Sequence, residues 1–202
     1  KLKKMSCDIT AGRIEQCKDS VSGLKAIYII NYDKLNSDAV VYNTTDAGHE
    51  DEILTWMPED TVTAMNLYKF ELKSTANSFN TAINTSRDNG TTFFEQTLVA
   101  NLKRQDVVAT KQIKLLAYGR PRIVVRTMTD QFFLMGLDQG GDMNAGTIAS
   151  GSELGSFNGY EGLTFVAMEA EPANFIDCTT EAGLKVVFNN GTDDAVINDG
   201  TV

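Results

Sequence analysis

The sequence predicts a mainly β-protein, a β-sandwich or small barrel with one flanking α-helix. Residues 24–33 are dense in β-branched and aromatic side chains, which favour strands. Residues 91–103 alternate between two faces and follow the pair Asn89-Gly90, which is typical of a tight hairpin turn. Residues 106–118 carry the clearest helix signals in the chain.

The first half of the chain is predicted to consist of strands and one acidic loop. The nearly continuous apolar run 26–30 indicates a strand that is buried on both faces. Residues 40–42 predict a short strand, and the acidic, irregular residues 44–60 predict a loop. Imperfect alternation over residues 61–73 indicates a strand with a bulge, and residues 77–86 continue in an extended, polar style.

The long strand over residues 91–103 is expected to place one face against the core. The turn at residues 87–90 joins this strand to the extended segment before it. One face of the strand becomes mostly apolar toward its end, so this face should meet the core. The residues on this face are Phe94, Gln96, Leu98, Ala100 and Leu102.

Helix signals are concentrated between residues 106 and 118. Asp106 is expected to cap the first turn by accepting backbone N–H bonds. Gly119 is expected to form a left-handed C-cap, and Pro121 prevents the helix from continuing. An apolar stripe at helical spacing predicts the buried face. Its members are Val107, Val108, Gln112, Ile113, Leu115 and Leu116.

The segment after the helix is predicted to contain two short strands, a long loop and a closing strand. The short strands cover residues 122–127 and 131–137, and the closing strand covers residues 159–170. Residues 139–155 are rich in glycine, and a loop of this length is usually functional or mobile. Near the C-terminus, the apolar patch 184–188 precedes an acidic tail that is either disordered or docked on a neighbour.

Composition and charge narrow the function classes. The chain has 202 residues and 42% hydrophobic residues, which suit one domain with a real core. Its net charge is −9, from 18 basic and 27 acidic residues. Because nucleic-acid affinity comes largely from neutralising phosphates, such a chain is not expected to bind DNA tightly, although it could surround it.

No apolar run approaches the roughly 20 residues of a spanning helix, and the basic N-terminus lacks the apolar stretch of a signal peptide. We therefore expect a soluble protein.

The sequence contains no recognisable catalytic, metal or cofactor motif. The three cysteines, Cys7, Cys17 and Cys178, match no zinc or redox spacing. We expect free thiols in a reducing compartment, with a Cys7–Cys17 disulfide as the alternative. His49 is the single histidine and lies in an acidic run, where it is expected to be solvated. Trp56 is expected in the core, with an exposed anchor as the alternative.

The glycine-rich loop does not fit a phosphate site. A phosphate loop needs Gly-Lys-Ser/Thr leading into a helix, but this loop joins two strands and contains Asp142 and Glu153 without a lysine. An interface loop that rearranges on assembly is one interpretation, and plain surface flexibility is the other. We predict neither a cofactor nor a metal.

Seven segments, spread over most of the chain, carry a pattern shared with a known family. They are Cys7-Asp-Ile-Thr-Ala-Gly-Arg13, Gly23-Leu-Lys-Ala-Ile-Tyr-Ile-Ile-Asn-Tyr32, Phe94-Glu-Gln-Thr-Leu98, Ile113-Lys-Leu-Leu-Ala-Tyr-Gly-Arg-Pro-Arg-Ile-Val-Val125, Phe133-Leu-Met-Gly136, Gly159-Tyr-Glu-Gly-Leu-Thr-Phe165 and Glu171-Pro-Ala-Asn-Phe175. This pattern resembles the virion structural proteins of tailed phages that infect Bacteroidetes, including crAss-like phages. Within that group it is similar to the tail-tube-like proteins of the neck and tail.

The resemblance implies a non-enzymatic subunit of an oligomeric ring around a DNA channel in the virion. Such subunits pair their sheets across neighbours, contact adjacent neck, tail-ring or portal proteins, and assemble in the cytoplasm of the host bacterium. DNA passes through the channel without specific binding, and no membrane is involved. In these terms the chain divides into an N-terminal arm (1–23), a tail-tube-like β-domain (24–176) and a C-terminal extension (177–202).

The hairpin and the glycine-rich loop are the predicted contact surfaces between neighbouring subunits. Both segments are rich in turn residues and contain no catalytic or ligand-binding motif. The predicted interface residues are Phe79, Asn89, Gly90, Phe93, Arg120, Gly140, Gly141, Met143, Gly146 and Gly151.

Two other function classes remain as alternatives. An extracellular carbohydrate- or protein-binding β-domain is suggested by Trp56, the aromatic residues and the Asn/Gly loops. A hydrolase that works through Glu50 and His49 ranks third, because imidazole titrates near neutral pH.

Overall fold

The computed structural model describes residues 9, 11–15, 18, 20–46, 49, 51–73 and 76–200. In this part of the chain, twelve strands form two sheets that are accompanied by two α-helices. The fold is thus mainly β, as predicted. It has two α-helices, whereas the sequence predicted only one. The elements are β1 (Leu24–Ile30), a 3-10 turn (Tyr32–Lys34), β2 (Leu35–Tyr42), β3 (Ile53–Pro58), β4 (Asn66–Glu71), β5 (Ser78–Ser86), β6 (Thr91–Lys103), α1 (Val107–Leu116), β7 (Arg122–Thr127), β8 (Phe132–Met135), β9 (Asp142–Ala149), β10 (Gly159–Glu169), β11 (Asn174–Ile176), α2 (Glu181–Val187) and β12 (Val196–Asn198).

The first sheet has eight strands in the order β12-β4-β1-β7-β8-β11-β3-β2. Its pairings are antiparallel except at two places, where β11 joins β3 and β12 joins β4 in parallel. The second sheet has four antiparallel strands in the order β5-β6-β10-β9. The strand order places β1 and β7 near the middle of the first sheet, where both faces can be covered.

Strand β1 is buried on both faces, as the apolar run 26–30 predicted. Alternate side chains enter two separate hydrophobic cores, so this one strand links them. Full burial of a large aliphatic side chain stabilises a fold by about 1.5–3 kcal/mol. The first core receives Ala26, Tyr28 and Ile30, and the second receives Leu24, Ile27 and Ile29.

The C-terminal segment packs on the chain's own first sheet. Thr180 caps α2 by accepting a hydrogen bond from the Gly183 amide at 3.1 Å. Phe188, just after α2, meets Trp56 of β3 with ring centroids 6.3 Å apart. Beyond it, β12 pairs with β4 near the opposite edge of the sheet. Leu184 and Val187 of α2 are buried in the first core, so residues 181–198 pack on their own chain.

An ionic network ties α2 to the middle of the sheet. The Glu181 carboxylate accepts a hydrogen bond from the Tyr28 hydroxyl at 2.8 Å and pairs with Lys69 at 2.8 Å and Arg126 at 3.0 Å. Burial and the nearby Glu181 raise the pKa of Tyr28, so this phenol stays a donor at neutral pH. The network aligns the start of α2 over β1, β4 and β7.

The second sheet covers part of the other face of the first sheet. Leu98 and Ala100 of β6, with Phe165 of β10, are buried against β1, β7 and β8. The core-facing side of β6 is therefore the one that its alternation predicted. The two sheets form a sandwich over these three strands, and β2, β3 and β11 contribute no buried member to this second core.

Helix α1 has the predicted cap but a different buried face. The Asp106 carboxylate accepts hydrogen bonds from the Val108 and Ala109 amides, both at 3.1 Å. Ile113 is buried, with Ala109 and Leu116 packed beside it, whereas the predicted stripe members Val107, Val108 and Leu115 are exposed. The true face follows i, i+4 and i+7 from Ala109, a small residue that the apolar stripe did not count. Gly119 also lacks the positive φ of a left-handed C-cap.

Two predicted loops contain strands. Strand β3 lies within the acidic segment 44–60, where its backbone pairs with β2 and Ile53 and Trp56 enter the first core. Strand β9 lies within the glycine-rich segment 139–155 and pairs with β10. Most of the N-terminal arm, including Cys7 and Cys17, lies outside the described residues. Its described apolar residues, among them Ile9 and Ile14, are exposed.

Candidate functional site

The second sheet ends in two open edges, β5 on one side and β9 on the other. These strands have nine and eight residues, so their edges are of similar length. Among the described residues, no backbone hydrogen bond reaches the outer side of either strand. An open edge presents unpaired N–H and C=O groups that can pair with another chain.

Edge strand β9 is built from small and polar residues. A Cβ on Gly146 would lie 2.8 Å from the end of the Leu163 side chain of β10, so a larger residue there would require this side chain to shift. Met143 turns inward and packs on the second core, whereas Ala145 and Ile148 are exposed. The strand is thus anchored on one side and open on the other.

The β5–β6 hairpin extends beyond the rest of its sheet. Strand β10 pairs with β6 only as far as Phe94, so the last three cross-strand pairs of the hairpin lack a third strand. Asn89 and Gly90 form the exposed turn, with Gly90 at φ 63°, as the Asn-Gly pair predicted. Ile83 and Phe93 are exposed apolar residues near this tip.

A tight glycine junction leads from the first sheet into β9. Gly136 and Gly140 both have positive φ, 77° and 72°. A Cβ on Gly140 would lie 2.7 Å from the Arg120 carbonyl oxygen, so only glycine fits. Gly140 and Gly141 are buried against the chain's own backbone. Their burial removes them from the surface that a partner could contact, and Arg120, which pairs with Asp142 at 3.3 Å, is the exposed member of this group.

Two polar side chains from the second sheet hold this junction. Gln96 accepts a hydrogen bond from the Gly136 amide at 3.0 Å. The buried Glu169 carboxylate accepts hydrogen bonds from the Asp138 and Gln139 amides at 3.2 and 2.9 Å. Gln96 had been assigned to the core-facing side of its strand, and a polar residue on such a face signals a buried partner. Glu169 carried no comparable signal. Both residues fix the position from which β9 starts.

Burial raises the pKa of Glu169 above its ordinary value of 4.5. The folded protein therefore binds this proton more readily than the unfolded chain does. The stabilising contribution is full below the unfolded pKa and is lost as pH rises through the folded pKa. Glu169→Gln stays neutral, so its stability relative to the wild type should be greater at a pH of about 7.5 than at about 4.5.

Urea unfolding of Glu169→Gln and the wild type at both pH values measures this difference. Glu161→Gln, on an exposed position of the same strand, is the control for replacing a carboxylate by an amide. A Glu169→Gln difference that does not change with pH would contradict a buried, proton-linked carboxylate.

The remaining predicted interface residues do not form one patch. Gly151 lies in the exposed turn between β9 and β10, with φ 79°. Phe79 faces inward from β5 and meets Phe133 of β8, with ring centroids 6.1 Å apart. The structure thus separates a hairpin tip, a β9 edge and an aromatic contact at the β5 edge. Ile83, Ala145 and Ile148 belong to these edges, but no pattern in the sequence selects them.

One shallow pocket brings the single histidine near a cysteine. It has a volume of about 350 Å³, and His49, Glu52 and Cys178 are among its lining residues. His49 Nδ1 lies 2.7 Å from the Glu52 carboxylate, which raises the pKa of this exposed histidine. Burial and Asp177 raise the pKa of Cys178 to about 12, so at neutral pH it is a thiol rather than a reactive thiolate. Glu50 lies outside the described residues.

Other candidate chemistry is also limited in the described part of the chain. No group of three or more His, Cys, Asp or Glu side chains there could hold a metal ion. Trp56 is fully buried, as expected, and its indole N–H donates to the Asn36 carbonyl at 2.7 Å. It therefore offers no exposed ring for stacking on a sugar.

Comparison with protein-family models, with curated proteins and with solved structures finds no match to this chain. Within the described residues, neither helix has the length and apolar character needed to cross a membrane.

Proposed function

We propose that this protein is a structural subunit that assembles with its own copies into a ring of the neck or tail of a tailed phage. The observation that carries the proposal is the pair of open edges on opposite sides of the second sheet. The resemblance of the sequence to tail-tube-like virion proteins gives the setting. In that setting the protein has no catalytic role, acts within the virion, and contacts adjacent ring or portal proteins.

Two different open edges on one sheet favour a head-to-tail contact. If the β5 edge of one copy pairs with the β9 edge of the next, the sheet continues from subunit to subunit. A head-to-tail contact generates a closed ring when its rotation divides a full turn, and closure leaves no edge exposed. The similar lengths of β5 and β9 suit such pairing.

The outer face of the second sheet is suited to line a channel. Its central residues alternate with the buried ones on β5, β6 and β10, and Glu95 is the one charged residue among them. A central region without lysine or arginine releases no counterions from DNA, so DNA could pass without being held. The central outward residues are Ser78, Asn80, Ala82, Glu95, Thr97, Val99, Thr164, Val166 and Met168.

A lysine on either edge should prevent ring formation. We expect Ala145→Lys on β9 and Ile83→Lys on β5 each to weaken self-association by about tenfold or more, because a charge on an edge strand opposes edge pairing. Sedimentation velocity over a range of protein concentrations measures the association, and negative-stain imaging of the wild type gives ring diameter and symmetry.

Val62→Lys is the matched control, because Val62 is an exposed apolar residue in the turn region between β3 and β4. It should assemble like the wild type. A wild-type protein that stays monomeric at high concentration and in virion fractions would refute the proposal. Normal assembly of both edge variants would refute pairing through these edges.

A further inference from the structure

The first sheet has an uncovered apolar face next to the sandwich. Tyr42, Ile53 and Ile176 point into the first core. Their chain neighbours Val41 and Phe175 therefore point to the opposite side, where the second sheet covers β1, β7 and β8 but not β2, β3 and β11. Leu54, which lies at a β-bulge in β3, is exposed as well. We call Val41, Leu54 and Phe175 the open face, and all three are exposed.

The open face continues into the aromatic contact at the β5 edge. Phe175 is 42% exposed, and its ring centroid lies 4.4 Å from that of Phe133, which in turn meets Phe79. Aromatic rings that pack on one another at a tilt and leave one ring exposed are suitable anchor points for a protein interface. The open face therefore offers a firm apolar platform.

The pocket beside Phe175 is acidic. Its lining includes Asp46, Glu52, Asp130 and Asp177 but no lysine or arginine. Asp130 is already compensated by Lys25 and Arg126. Among the described residues, Asp46 and Asp177 form no ion pair. An apolar platform next to an uncompensated acidic rim selects a partner that is both apolar and basic.

The N-terminal arm has this chemistry. Residues 1–23 contain five basic and three acidic residues, in a chain whose net charge is −9. Its described apolar residues Ile9 and Ile14 are 94% and 88% exposed on their own chain, and Arg13 between them is exposed as well. These side chains find no cover within the described part of their own subunit.

We propose that the open face and its acidic rim bind the N-terminal arm of a second copy of this chain. Ile9 and Ile14 would bury their side chains against Phe175 and Leu54, and Arg13 would meet the acidic rim. The inference rests on the proposed self-assembly but uses a surface other than the β5 and β9 edges. Arm exchange would join subunits that edge pairing alone does not lock together.

The test is binding of a fluorescent peptide of residues 1–23, with Cys17 replaced by Ser, to the full-length protein, followed by anisotropy. Phe175→Ser should weaken binding by about tenfold, because it removes the central apolar contact. Asp177→Lys, or Arg13→Glu in the peptide, should weaken it by about fivefold, and added salt should weaken wild-type binding.

Val62→Ser is the matched control, because Val62 is an apolar residue that is 85% exposed in the turn region between β3 and β4, away from the open face and from both sheet edges. It should leave peptide binding unchanged. The arm proposal is overturned if the peptide does not bind, or if it binds Phe175→Ser and the wild type equally. This holds even if sedimentation shows rings. Peptide binding that depends on Phe175 in a protein without rings supports the arm contact while refuting the ring. Circular dichroism confirms that each variant is folded.

Discussion

Replacing Arg122 by Met is expected to lower the free energy of unfolding by about 3–5 kcal/mol. The side chain is only 1% exposed and lies where β7 meets the 3-10 turn before β2. Its Nε donates to the Leu137 carbonyl at 2.9 Å, and its Nη1 donates to the Tyr32 and Leu35 carbonyls, both at 2.6 Å. Methionine fills similar space but leaves three carbonyl oxygens without this donor.

The aromatic surroundings add to the expected loss. The guanidinium carbon lies 4.2 Å from the Tyr32 ring centroid and 5.0 Å from that of Trp56. A desolvated cation–π contact contributes about 2 kcal/mol. Arg122 therefore joins the β8–β9 junction, the 3-10 turn and the first core, and its loss should loosen all three.

Urea unfolding followed by Trp56 fluorescence measures the effect of Arg122→Met. Arg120→Met is the matched control, because Arg120 is two residues away and its side chain is 53% exposed. The control should change stability by less than about 0.5 kcal/mol. Equal effects of the two substitutions would show that the buried hydrogen bonds of Arg122 contribute little.

Gly159→Ala is the second substitution expected to have a large effect, with a loss of about 3 kcal/mol or more. Gly159 has φ 150°, and a Cβ there would lie 2.1 Å from the Leu102 carbonyl oxygen. The contact is with backbone, so a side-chain rotation cannot relieve it. The ends of β6 and β10 would therefore have to separate. Tyr160, whose hydroxyl donates a hydrogen bond to the Asp106 carbonyl at 2.9 Å, would shift with them.

Gly162→Ala is the control for Gly159→Ala. Gly162 lies on the same strand with φ 63°, and no atom lies within 4 Å of the Cβ that alanine would add. This variant carries the left-handed backbone cost of about 1 kcal/mol without the clash. Thermal and urea unfolding of both variants separate the cost of the positive φ from the cost of the steric clash. A Gly159→Ala loss no larger than that of Gly162→Ala would contradict the close approach of the two strands.

Elements with strong local signals were predicted well. The β5–β6 hairpin follows from Asn89-Gly90, because Gly90 adopts the positive φ that the turn requires. The start of α1 follows from Asp106, whose carboxylate bonds the first free amides of the helix. In both cases the determining interactions are made within a few residues along the chain.

Elements whose partners are distant in sequence were missed. Strand β9 has no apolar alternation, because it is an edge strand of mostly exposed residues, and it is defined by pairing with β10. Strand β3 lies in an acidic segment, and its pairing with β2 and β11 places Trp56 in the core. Side-chain periodicity cannot reveal a strand that is defined by backbone pairing with strands distant in the sequence.

The residues predicted to form assembly surfaces are exposed only in part. Asn89, Gly90 and Phe93 were selected from the hairpin signal and do lie at an exposed tip. Gly140 and Gly141 were selected as flexible loop residues, but their glycines serve close backbone packing inside the chain. A glycine looks the same in sequence whether it permits motion or a tight contact.

By itself, the sequence determined a mainly β-chain with a doubly buried strand β1, a long hairpin and a capped helix, because local turn chemistry and side-chain periodicity specify these. Only the tertiary structure decided that β5 and β9 are the open edges and that β2, β3 and β11 have an uncovered face. An edge or an open face is defined by the neighbour that is missing. That neighbour depends on strand order in space, which no stretch of the chain encodes alone.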